Sequence, residues 1–478
     1  MPLSDAEGSI PAPSAEVADS QSADWRRYPF ELIPGDSEFT FPAAEAVHQL
    51  CQSDTWFIAG ELTGTKSKRR FCFLTIFNKN RPGGSIVADF YTLALFDIDN
   101  GAYGTYTDYD MPPKNMAPGA VPKLSASTEQ LDIAFASRAG TAAWQTRRDE
   151  RGQLVPYTYD LALVGTDRSG AAMDLRLSVS PTRAPVPVGA SKYNGRFECL
   201  GQRETFSYFQ TGMLMVGTLS WGDIHEEVRG SAGHIDRQWF PLYAGGGGTD
   251  GQQRAISHEW RTIHLDNGVD FVGWRQFDRN QRNTLRPFTG ATVTYSEPGI
   301  SPECVEDVEV DTTSYVRWPE AVRQLVSPPV EVRYMPDRHR LRSAALELDL
   351  AGEPLVAAPA HALPVEYMEG PFRFVGTMRG QPVSGFGISE RSFALYRDWE
   401  LIDVLAAATG NLEPQPDDLV SSIDALRPIV TTGQSREAAD YLEDTVLPLV
   451  NELPVGQRED VHQVAEALIA ALSHEPTA

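Results

Sequence analysis

A change of periodicity near residue 393 constrains this chain more than any other feature. From Trp25 to about Ser389 the sequence is a succession of short alternating or apolar runs broken by Gly, Pro, Asn and Asp. After Phe393 apolar residues recur at i, i+3, i+4 and i+7. A period of two between turn residues marks half-buried strands, and a period of 3.6 marks amphipathic helices. Runs such as WFIAGEL (56–62), RRFCFLTIF (69–77), YTYDLALVG (157–165) and GMLMVGTLSW (212–221) therefore read as strands. So do ISHEWRTIHL (256–265), VDFVGWRQF (269–277), VEVRYM (330–335), AALELDL (344–350), FRFVGTM (372–378) and SGFGISE (384–390). A strand-rich chain must hide its sheet edges, usually by closing barrels. The expected fold class is all-β, two tandem β-barrels followed by a C-terminal α-helical segment of four helices. The expected divisions are a flexible arm at 1–24, a first β-domain at 25–245, a second at 246–392 and a helical appendage at 393–478. The glycine run LYAGGGGTDGQQR, which cannot hold a strand interior, marks the boundary between the β-domains.

Composition removes several classes of function. A net charge of −24 over 478 residues repels phosphate backbones and anionic membranes, so nucleic acid is not an expected partner. Cys51, Cys72, Cys199 and Cys304 are scattered without zinc or disulfide-framework spacing. The N-terminus lacks a basic region followed by an apolar one, and no apolar run reaches about 18 residues, so the expectation is a soluble, cytoplasmic protein without stable membrane insertion. Walker A, dinucleotide-binding, HExxH and GxSxG motifs are absent, and GGGGTDG lacks the strand-to-helix context of a phosphate cradle. No cofactor and no metal is expected.

What remains is a set of polar and aromatic residues inside strands. GHIDRQWFP (233–241) carries Asp236, Arg237, Gln238 and Trp239; SHEWRTIHL carries His258, Glu259 and Trp260; GWRQFDRN carries Trp274, Gln276 and Asp278; EYMEG carries Glu366, Tyr367 and Glu369. Strand side chains switch faces at each residue, so Ile235 and Arg237 point one way while Asp236 and Gln238 point the other. If one face looks into a cavity, each strand offers it a polar group and an aromatic. The competing reading makes these residues ordinary sheet furniture: tryptophans as core fillers, and an Asp236-to-Arg salt link fastening the two domains.

The stretches WFIAGEL, FQTGMLMVGTLSWGDIHEEVRGSAGHIDRQWF and EYMEGPFRFVGTMRGQPVSGFGISE, in this order, resemble the carotenoid 1,2-hydratase and AttH-like family of tandem lipocalin-like proteins. The last two look like that family's domain junction and its closing Y-W-E-G … G-x-G-Y-x-E hairpin. The resemblance covers about residues 25–392. It implies two lipocalin-like barrels with a ligand pocket at or between them, and hydrophobic substrates, since members include hydratases of isoprenoid double bonds and pericyclases that fold polyenes. The family's D-H-N-W-G motif maps onto Asp236 and Trp239, with Arg237 in the histidine slot and Phe240 in the glycine slot. Its Y-x-D segment falls on Trp274 and Gln276, so the usual proton donor is missing.

The expected function is a cofactor-independent enzyme acting on a hydrophobic isoprenoid or polyene, by acid protonation of a C=C bond with water addition or by acid-promoted isomerisation or cyclisation. The alternatives are a pericyclase that works by confinement and a carrier of lipophilic ligands without turnover. Asp236, Glu366, Asp278, His258 and Glu259 are the catalytic candidates. Arg237, Gln238, Trp239, Trp260, Trp274, Gln276, Tyr367 and Glu369 are the substrate-binding ones.

Overall fold

The computed structural model describes residues 25–82, 86–199, 202–242, 256–278, 284–285, 288–297, 299–317, 334–361, 363, 367–392, 398–410, 412–432 and 434–473. The N-terminal arm at 1–24, the glycine run from 243, residues 330–333 and Glu366 lie outside them, as does the side chain of Asp278.

Among the described residues, fifteen antiparallel strands make the first sheet, organised around Ser53–Gly64. One edge of that strand pairs along its length with Arg70–Asn80. The other edge pairs with Gly233–Phe240 over residues 53–60 and with Ile224–Gly230 at its end. The sheet curls until Asp89–Asp97 and Ala102–Asp110 meet its far strands, where Tyr91 Oη donates to the Val164 carbonyl at 3.0 Å and the Ala139 amide donates to Tyr106 Oη at 3.2 Å. Alternation sends Trp56, Phe73, Phe77, Tyr91, Trp144 and Tyr159 inside, and Phe39 and Phe41 from the entering chain plug the end. This interior is packed with side chains, as in small closed barrels.

That packing corrects the reading of two residues. Arg237 and Trp239 face this core, on the opposite side of their strand from Asp236. Arg237 donates to Asp54 Oδ1 at 2.8 Å and to the Ala46 carbonyl at 2.8 Å, with its guanidinium 4.1 Å from the Trp56 ring centre. Trp239 lies stacked between His48 and Phe206. The arginine salt link at this strand is therefore to Asp54 within the first barrel, and it fastens no domain to another.

Among the described residues the second sheet has ten strands, its path running from Glu303–Val305 at one edge to Glu309–Thr312 at the other. Three residues separate these two edges in sequence, so the sheet must curl until its ends approach. Ile256–Leu265, Val269–Asp278, Tyr367–Met378 and Gln381–Ser392 form its centre. The expected strand at 344–350 is instead a turn at 344–347 joining His339–Ser343 to Leu348–Pro354, because Ser343 and Leu348 close a tight hairpin. The inner face is apolar at one end, with Ile263, Phe271, Leu350 and Phe374. At the other end it carries Glu259, Arg261 and Arg391, all buried.

Among the described residues four helical segments follow: Asp398–Gly410, Asp417–Thr431, Ser435–Tyr441 continuing through a π turn into Leu447–Glu452, and Val455–Ser473. They share a core that includes Leu405, Leu426, Leu442 and Leu468 and pack on the second β-domain through Phe277, Tyr315 and Met368. No helix among the described residues is long and apolar enough to cross a membrane.

The chain is therefore a pair of curled antiparallel β-units, each with its own core, and a helical segment docked on the second. Arg237→Ala is expected to destabilise the protein by about 3–5 kcal/mol in denaturant unfolding, because it strands the buried Asp54 carboxylate. A loss under about 1 kcal/mol would show that the pair is not a strut of the first barrel.

Candidate active site between the two β-domains

Two outer sheet faces meet where the domains touch. On the first domain, strand register places Phe209, Asp236, Phe57 and Ile76 side by side across four strands. On the second it places Trp274, Trp260, Glu390 and Glu369 in one row, with Gln276, His258, Ser392 and Tyr367 in the adjacent row. Apolar contact joins the faces in one cluster that includes Phe57, Phe209, Trp260, Trp274 and Tyr367. Phe57 meets Trp260 edge-on at 5.4 Å, and His234 meets Trp260 at 5.2 Å while its Nδ1 lies 3.1 Å from Thr262 Oγ1. Arg183 paired with Asp270 at 2.7 Å and Tyr103 donating to the Ala358 carbonyl at 3.0 Å fasten the margins.

Glycines set part of this geometry. A Cβ on Gly385 would stand 2.2 Å from the His264 carbonyl oxygen, and one on Gly387 would stand 2.1 Å from that of Thr262. Only glycine lets the 381–392 strand lie this close to the 256–265 strand, which brings Glu390 beside Trp260.

Three carboxyl groups converge on the interface. Asp236 Oδ1 accepts from Ser207 Oγ at 3.2 Å. Burial is the main cause that pushes Asp236 up to about 7, and the negative charge of Glu390 adds to it, against the Ser207 hydrogen bond and the more distant Arg237. Asp236 as a residue is half-buried. Glu369 is fully buried; it accepts from Tyr367 Oη at 2.8 Å through Oε2, and its Oε1 has no hydrogen-bond partner. Burial and the neighbouring Glu390 hold Glu369 well above the usual carboxylate range. Burial and the neighbouring negative charge thus raise the proton affinity of Asp236 and Glu369 together. Glu390 Oε1 lies 3.2 Å from His258 Nδ1, which is also 3.1 Å from Ser392 Oγ.

Several N–H donors here lack partners: Gln238 Nε2, Trp260 Nε1, Trp274 Nε1 and, depending on tautomer, His258 Nε2. Buried polar atoms are ordinarily satisfied, so each of these donors is available to an acceptor that comes within reach. Among the described residues no three His, Cys, Asp or Glu side chains are placed to hold a metal ion.

The residues anticipated from sequence divide as follows. Asp236, Gln238, His258, Trp260, Trp274, Gln276, Tyr367 and Glu369 share this interface, and Gln276 Nε2 donates to the Glu198 carbonyl at 3.4 Å. Glu259 does not: it sits on the opposite face of its strand, bound to Arg261 at 2.7 Å and held ionised by it. Arg237 and Trp239 fill the first barrel. Glu390, Ser207 and His234 were not anticipated. Glu390 had a signal, as the final acid of the G-x-G-Y-x-E pattern in GFGISE; Ser207 and His234 become neighbours of the site only through strand pairing.

Residues 33–389 match the AttH-like family. Among solved structures, a putative AttH protein from Nitrosomonas europaea superposes with a TM-score of 0.55 at 16% identity, covering 76% of this chain and 99% of that one. Kievitone hydratase from Nectria haematococca superposes with a TM-score of 0.51 at 14% identity, covering 71% and 88%. No curated protein matches the chain by sequence.

The raised Asp236 gives a stability signature. Its ordinary value is roughly 4, so the folded protein holds this proton more tightly than the unfolded chain does. Stability therefore falls as pH climbs from about 4 to about 7, and the cost of the buried charge is complete above 7. Asp236→Asn should raise the melting temperature more at pH 8 than at pH 5 in a calorimetric pH series. A difference between variant and parent that does not grow with pH would contradict a buried, proton-retaining Asp236.

Proposed function

The chain belongs to the AttH-like family, and on that premise we propose that it is a cofactor-independent enzyme that protonates a C=C bond of a hydrophobic isoprenoid or polyene and adds water to it. The observation that carries this reading is the meeting of Asp236 and Glu369, both with raised proton affinity, at an interface walled by Trp260, Trp274 and Phe57. A carboxyl group kept neutral by desolvation can donate a proton to an alkene that offers no better base. The carboxyl O–H breaks as a C–H bond forms, leaving a carbocation and a carboxylate. Indole faces and the new carboxylate stabilise the cation. Water then adds to the cation and returns its surplus proton to the carboxylate, so the balance is one alkene plus one water.

Each residue has a place in this scheme. Asp236 or Glu369 is the acid, in place of the family donor whose slot holds Gln276. Tyr367 orients Glu369, and the Glu390–His258 pair positions the water. That a fold relative is a hydratase is consistent with the scheme. If the carbocation instead loses a proton from a neighbouring carbon to the carboxylate before water adds, a C–H bond breaks, a C=C bond re-forms and the product is an isomeric alkene.

A second reading rests on the orphan donors. Gln238 Nε2 and the Trp260 and Trp274 indoles could polarise a carbonyl while the walls fold a polyene, giving a pericyclase that needs no acid. Incubation with prenylated and polyene compounds, followed by mass spectrometry, distinguishes these schemes. Hydration adds the mass of one water, while cyclisation leaves mass unchanged and alters retention. Asp236→Asn and Glu369→Gln should each lower kcat/KM by about 100-fold or more, and activity should fall as pH rises through about 7. Losses under about tenfold in both variants would remove the acid role. Saturable binding with unchanged ligand would make the protein a carrier.

A further inference from the structure

A crevice runs into the margin where the two β-domains touch. Val188 lines it from the first domain, and Val272, Trp274, Phe288, Thr292 and Cys304 line it from the second. It encloses about 10 Å³, room for one water at most, so the crevice is shut. Its inner wall is shared with the interdomain site. The Trp274 ring meets His258 at 4.8 Å, and His258 Nδ1 lies 3.2 Å from Glu390 Oε1, so two side chains separate the crevice from the carboxyl cluster. Glu369 in that cluster is fully buried, and a ligand that reaches it has to displace part of the surrounding wall.

Phe288 closes the crevice. Its ring stacks on Phe197 at 4.0 Å, meets Trp274 at 6.1 Å and is met edge-on by Tyr193 at 4.9 Å. Its backbone is left-handed, with φ of 60°, a strained conformation that a bulky side chain keeps only where its surroundings impose it. The 189–195 turn of the first domain supplies part of that constraint. A Cβ on Gly189 would stand 2.9 Å from the Phe288 ring, and Ser191 and Asn194 in the same turn also have positive φ. The turn is tied to the second domain at two levels. At its base the Gly189 amide donates to Thr292 Oγ1 at 2.7 Å in a buried hydrogen bond. At its tip Lys192 Nζ and Tyr193 Oη both donate to Glu306, and these contacts are exposed. Exposed ion pairs contribute little and break readily, so the tip is the weaker tie.

We propose that this crevice is the route by which a hydrophobic substrate enters the interdomain site, with Phe288 as its gate and Lys192, Tyr193 and Glu306 as the latch. Once the latch releases, Tyr193 withdraws from Phe288, the ring turns away from Trp274, and a path opens between Val188 and Val272. The proposal rests on the interdomain face being the place where substrate is held; it concerns entry and is separate from the acid step.

Two measurements on the full chain test it, the first without any ligand. With Cys51 replaced by Ser, Cys304 is the one remaining thiol that is not buried, so its reaction with uncharged 4,4′-dithiodipyridine reports opening of the crevice. Lys192→Met and Phe288→Ala should each speed that reaction by about threefold or more. Lys192 lowers the proton affinity of the Cys304 thiol, so its loss through electrostatics alone would slow the reaction, and acceleration therefore reports opening. The second measurement is stopped-flow fluorescence with the neutral lipophilic probe N-phenyl-1-naphthylamine. Its association and dissociation should both quicken by about threefold or more in the two variants while Kd stays within about twofold of the parent, and Phe288→Trp should slow both rates. Lys192 is exposed, so the test does not depend on Phe288→Ala folding. Unchanged or slower Cys304 reaction in Lys192→Met, probe rates that do not respond in either variant, or no saturable binding of the probe would each overturn the proposal. Altered rates in a protein that hydrates no alkene would overturn the catalytic reading alone and leave the route standing.

Discussion

Desolvation between two sheet faces is the constraint on which the rest of this structure depends. Phe57 and Phe209 on one side and Trp260 and Trp274 on the other exclude bulk water from the contact. Asp236 and Glu369 are carried into that layer by strands whose other faces are committed to separate cores. A carboxyl group in such a place keeps its proton because ionisation would put charge into a poorly solvated space. The same burial that costs stability creates an acid near neutral pH, a trade commonly made at functional sites.

Alternation along single strands organises the division of labour. On 233–240, Ile235, Arg237 and Trp239 complete the first barrel while His234, Asp236 and Gln238 face the second domain. On 256–265, His258, Trp260 and Thr262 face the first domain while Glu259 and Arg261 enter the inner face of the second. One strand thus serves two environments of opposite character, and the charged inner face remains separate from the apolar interface a residue away.

Arg237 and Glu259 show how local sequence can suggest the wrong neighbours. Both stand beside site residues in the chain, and both are consumed by buried ion pairs with Asp54 and Arg261. A period of two tells which residues share a face, but the pattern is silent about which face meets which partner. Asp236 and Glu369 are far apart in sequence, and nothing local in either segment records that both lie within electrostatic reach of Glu390.

The sequence by itself determined the all-β character, most strand positions, the helical close and the kinship with tandem lipocalin-like proteins, because periodicity and turn residues are local properties of the chain. It also supplied Asp236, His258, Trp260, Trp274 and Glu369 as candidate site residues. Only the tertiary structure decided that the candidate site lies between the domains, that Glu390, Ser207 and His234 join it, and that Arg237, Trp239 and Glu259 do not. The physical reason is that proton affinity and pairing depend on what surrounds a side chain, and those surroundings are assembled by contacts between strands more than a hundred residues apart.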